Sequence, residues 1–134
     1  MKNPLIMSAA GAALLFSTCA FSTGALAADV AAEIATAQTH AGLAAKAANI
    51  DGVHMHMHHA LNCLVGAKGD GFDAGNANPC AKSGDGAIPD STDAAQKTKL
   101  QTAVGLLKTG LAATDMAVAA KAATDASASI ASAK

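Results

Sequence analysis

The sequence has no Trp, no Tyr and no Arg, and only 2% of its 134 residues are aromatic. Nine lysines face ten acids for a formal charge of −1. A chain so balanced lacks the clustered basic face that neutralises nucleic-acid phosphates, and it lacks the polybasic segment that holds a protein on an anionic membrane. Catalytic signatures are missing as well. There is no His-Glu-x-x-His, no Gly-x-Ser-x-Gly and no Glu-x-x-His pair of the di-iron type, so an enzyme is not expected. Proline is confined to Pro4, Pro79 and Pro89, which leaves long stretches free to be helical. The hydrophobic share of 51% is largely alanine, so few large side chains are available for a core.

The N-terminus reads as an export signal. Lys2 supplies the charge, Leu5 to Phe16 the short apolar run, and Ala25-Leu26-Ala27 a small-x-small cleavage site. Residues 1–27 are therefore expected to be removed, leaving 28–134 as a single periplasmic or secreted domain. An uncleaved anchor and lipidation at Cys19 are the rival readings of this segment. The apolar run is too short and too interrupted to be a good membrane span, and none is expected after cleavage. Two of the three cysteines, Cys63 and Cys80, then remain, and an even pair in an exported chain reads as a disulfide rather than as two thiolates on a metal.

Residues 29–65 hold no proline and are rich in strong helix formers. Leu43, Ile50, Met57 and Leu64 recur every seven residues, a stripe of coiled-coil type. Asp51-Gly52 is its weak point, and because the repeat keeps phase through it, one long helix is predicted. Residues 66–90 change to Gly, Asp, Asn and Ser, which is loop chemistry pinned by the disulfide. Asp70 and Asp73 in that loop do not match the EF-hand spacing and read as turn formers. A second helix is predicted over 91–130, with Asp90 or Ser91 as its cap and a frayed end beyond Thr124. Leu100, Val104, Leu107, Leu111 and Val118 form its seam.

The expected architecture is therefore all-α, a long antiparallel helical hairpin. One hairpin buries too little, so two copies are expected to pair into a homodimeric four-helix bundle. Breaks at Gly52 and near Gly110 would instead let a single chain build the bundle.

His54-Met55-His56-Met57-His58-His59 is the stretch that carries chemistry. Imidazole suits copper, nickel, zinc and iron, and thioether selects Cu(I). On one continuous helix His54 and His58 share a face, Met55 and His59 a neighbouring one, and His40 lies two heptads before His54. His56 is expected to be solvated and Met57 to belong to the core stripe. The candidate ligand set is thus His54, His58, His59, Met55 and His40, with the remaining donors supplied by a twofold-related copy. Met55-x-x-His58-His59 resembles the Met-x-x-His-His helix of some exported, ferritin-like helical proteins linked to copper. The resemblance covers five residues and lacks that group's acidic, Gln-containing downstream helix, so no function is carried across from it. Copper sequestration or delivery is the leading expectation, with nickel or zinc as other ions. A haem held by axial His from two chains and a non-catalytic interaction or stress protein with incidental His are the alternatives.

Overall fold

The computed structural model describes residues 27–134, and the export-signal reading of residues 1–27 lies outside them but for its last residue. Among the described residues all regular structure is helical: α1 Val30–Ala44, α2 Ile50–Val65, a short α3 Ala87–Asp90, α4 Ala94–Ala112 and α5 Met116–Ala131. None of these helices is long and apolar enough to cross a membrane.

Each long helix starts at a short carboxyl or carboxamide side chain. Asp29, Asn49, Asp93 and Asp115 accept a hydrogen bond from the backbone N–H three residues on, at Ala32, Gly52, Gln96 and Val118. Such a cap satisfies one of the four orphan amides of a helix start. It also explains why the predicted helix over 29–65 is in fact two. Asn49 takes an extended backbone (φ −148°, ψ 164°) and caps α2, so the chain reverses over residues 45–49. Gly52, the expected weak point, sits inside the first turn of α2. Asp115 makes the same break between α4 and α5.

With two reversals in place, α1 packs on α2, α2 on α4, α4 on α5 and α5 back on α1. Four long helices from one chain close the bundle, so the hairpin expectation is corrected, and no second copy is required to supply helices. The core is thin in large side chains. Ile34, Met57, Leu61, Leu64, Leu100, Leu107 and Ile130 are fully buried, and α5 contributes otherwise only alanines such as Ala119, Ala123 and Ala126. Small residues let the backbones approach closely. A Cβ at Gly110 of α4 would lie 2.3 Å from Met57 Cε of α2.

The breaks also shift the heptad register. Met57 and Leu64 are buried as the stripe predicts, yet Leu43 is 43% exposed and Val118 is 54% exposed. The C-terminal end does not fray. Ala126 and Ile130 are buried, and the last turn is tied to α4 by Ser129 Oγ donating to the Lys99 carbonyl (2.9 Å) and Gln96 Nε2 donating to the Ala133 carbonyl (2.8 Å).

The loop between α2 and α3 is held from inside. Cys63 and Cys80 are joined in a disulfide, as the sequence led us to expect. The buried Asn62 carboxamide takes the Asp73 amide on Oδ1 (2.9 Å) and points Nδ2 at the carbonyls of Asp73, Asn76 and Ala77. Gly66 (φ 68°) and Gly86 (φ 118°) then bring the end of α2 against the start of α3, and a Cβ at Gly66 would collide with the Asp85 carbonyl. Phe72 and Ile88 pack onto the core from this segment. Helix α4 begins later than expected, capped by Asp93 rather than Asp90 or Ser91.

Closing the 17-residue separation between the cysteines is worth about 3 kcal/mol on the chain-entropy account. Urea denaturation of a Cys63→Ser/Cys80→Ser protein should show a loss of about that size relative to the oxidised chain.

Candidate metal centre

The reversal at residues 45–49 carries α1 back alongside α2, and this sets which histidines meet. His40 on α1 faces His56 and His59 on α2. The ring centroids are 5.5 Å apart for His40–His56, 5.0 Å for His40–His59 and 5.7 Å for His56–His59. One nitrogen from each ring lies within 4.8 Å of the other two. His56 and His59 are three residues apart and so occupy adjacent positions along one side of α2.

One separation, at hydrogen-bond distance as it stands, also suits an ion. His40 Nδ1 and His56 Nδ1 stand 3.2 Å apart. Two nitrogens held at about 2.0 Å by one tetrahedral ion lie about 3.3 Å from each other. His59 Nδ1 is buried and has no hydrogen-bond partner among the described residues, whereas buried polar atoms are normally paired. Three imidazoles can therefore hold a metal ion here, with at least one coordination position left for another donor.

Two of the three rings, His40 and His59, favour the uncharged form. Burial, followed by the neighbouring His59 and His56, holds the His40 pKa below the ordinary imidazole value. Burial, followed by His56 and His58, does the same for His59. A neutral ring offers its lone pair without first losing a proton, which is the form a metal requires.

The remaining histidines are turned to other partners. His54 Nε2 donates to the Ala113 carbonyl at the end of α4 (3.1 Å). His58 Nδ1 stands 3.3 Å from Asp73 Oδ2 without hydrogen-bond alignment, so that contact is electrostatic and strengthens when the ring is protonated. Asp73 is prepared for this by hydrogen bonds from the Gly75 amide and Asn76 Nδ2, which hold its carboxyl below the usual range. The expectation that His54 and His58 direct two rings to one point is thus replaced by two separate structural contacts. Met55 projects from the outside of α2, 43% exposed, and Met57 is fully buried in the core.

Of the candidate ligands, His40 and His59 enter the cluster, together with His56, which was expected to face solvent. Helical spacing alone missed His56 because it assumed a helix running unbroken from His40. Asn49 three residues before Gly52 was the available signal, since a cap there places His40 on a separate, antiparallel helix.

Asp70 pairs with Lys108 rather than joining a cation loop. Comparison with protein-family models, with curated proteins and with solved structures gives no match, so the functional reading rests on this cluster alone.

Ring-resolved NMR titration should place His40 and His59 below the ordinary value of about 6.5. Replacing His56 with Gln removes a positive neighbour from both and should raise both midpoints; unchanged midpoints would show that the three rings are not electrostatically in contact.

Proposed function

We propose that this is an exported metal-binding protein that holds copper at His40, His56 and His59 and serves in its sequestration or delivery. The observation that carries the reading is the convergence of three imidazoles from two helices, one with a buried nitrogen that has no partner. Copper is favoured over zinc or nickel by the chemistry around the site. Imidazole accepts all three ions, and Met55, exposed and four residues before His59 on α2, is a thioether of the kind that selects Cu(I) and is free to turn toward an ion bound there. Cys63 and Cys80 cannot compete because they are tied to each other.

Export is supported by that disulfide and by the leader-like residues 1–27. We read the protein as a binder rather than an enzyme, since the sequence carries none of the usual hydrolytic or di-iron signatures. A second copy enters this reading only as a source of donors for the remaining coordination positions, and size-exclusion chromatography with and without metal tests that role.

Titration of the chain with Cu(I), Cu(II), Ni(II) and Zn(II) is the direct test. One ion per chain should bind more tightly than about 10 μM. His40→Ala, His56→Ala and His59→Ala should each weaken binding at least about tenfold, while His54→Ala should leave it nearly unchanged. Binding that survives the triple substitution would remove the proposal.

Protons compete for the same nitrogens, so loading should fall in acid, and because burial holds the His40 and His59 pKa values below the ordinary imidazole value, the fall should come at lower pH than for free imidazole. Equal affinity at pH 5 and pH 7.5, measured by competition with a chelator, would exclude imidazole ligation.

A further inference from the structure

Glu33, in the first turn of α1, is the only glutamate in the chain, and it is fully buried. Its Oε1 accepts a hydrogen bond from the Gly86 amide (3.0 Å), while Oε2 is buried with no hydrogen-bond partner among the described residues. Its backbone carbonyl lies 3.8 Å from Cys80 Sγ, beside the disulfide. The side chain therefore sits where the segment Ser83–Asp90 docks onto α1. The Asp29 amide donates to the Ser83 carbonyl (2.7 Å) and fixes the other side of the same junction.

The charged groups around Glu33 are of its own sign. Asp29 caps α1, and Asp85 and Asp90 lie on the docked segment. Asp90 Oδ2 is engaged by the Asp85 amide (2.6 Å). From the far end of the chain, Lys134 lines a cavity of about 520 Å³ together with Ile34 and Asp90, but among the described residues no cation forms an ion pair with Glu33. On α2 the nearby Cys63 is in the disulfide and does not titrate.

A buried carboxyl with no counter-charge is tolerated as the neutral acid and resisted as the anion. The Gly86 hydrogen bond favours the anion, but it is one interaction against burial and three like charges. Burial first, with Asp90, Asp29 and Asp85 adding to it, raises the Glu33 pKa from 4.5 to about 7.

We propose that Glu33 is a proton-controlled latch: as the neutral acid it keeps the Ser83–Asp90 segment seated on α1, and as the anion it lets that segment lift to admit water. The sign follows from linkage. Once the segment lifts, the carboxyl regains an ordinary value, so the open state ionises first as pH rises. Opening is therefore rarest below about pH 4.5, grows up to about tenfold per pH unit from there to about 7, and levels off above.

Two measurements test this independently of any metal. With ¹³C-labelled glutamate the natural chain gives a single carboxyl signal, and its midpoint is expected near neutrality. A midpoint at the ordinary glutamate value overturns the latch. Amide hydrogen exchange, corrected for intrinsic rates, should show protection at Gly86 and Asp29 falling between pH 5 and 7. In Glu33→Gln, which is isosteric and cannot ionise, that pH dependence should vanish. Protection that is flat with pH in the natural chain, or equally pH-dependent in the Gln protein, also overturns it.

Discussion

A single carboxamide contact sets the shape of this molecule. Asn49 accepts the Gly52 amide at 2.8 Å, starts α2 afresh, and turns α1 back along it. Without that reversal the first forty residues of the folded domain would form one rod, His40 would lie far from His56 and His59, and the bundle would lack a wall. The cap is worth about 1 kcal/mol in isolation. Its leverage comes from deciding whether the alanine-rich sequence continues as one helix or folds back as two.

The loop between α2 and α3 solves a different problem. A long glycine-rich connection would cost chain entropy and leave backbone groups unpaired if it wandered. The disulfide limits its span, and Asn62 pairs four backbone groups of residues 73–77 from within the core. This same anchoring places Asp73 beside His58. The loop thus takes one histidine of the cluster motif for structure, while the helix reversal brings two others to the candidate metal centre beside His40.

Both unusual electrostatic sites stand on α1 and share one cause. His40 and Glu33 are seven residues apart, hence on nearly the same face, and that face is pressed against α2 and the docked loop. Burial works on them in opposite directions because it opposes charge of either sign: the imidazole pKa is lowered and the carboxyl pKa is raised. A bundle with so few large side chains still excludes enough water to do this, because its alanines bring the helices close.

Much of this was legible in the residues themselves. Helix-forming composition, the absence of proline from residues 29–65 and the apolar periodicity determined an all-helical chain, and the cysteine pair determined the disulfide, because these signals are local or depend only on compartment. The His-rich hexapeptide likewise marked two of the three rings that could hold an ion, His56 and His59. The partners of each histidine were settled only by the tertiary structure. Which rings converge depends on where α1 ends and how it packs on α2, and a periodic pattern reads the same whether the helix continues or folds back. The buried state of Glu33 was decided in the same way, by a loop distant in sequence closing over it, and no property of its neighbours along the chain announces that contact.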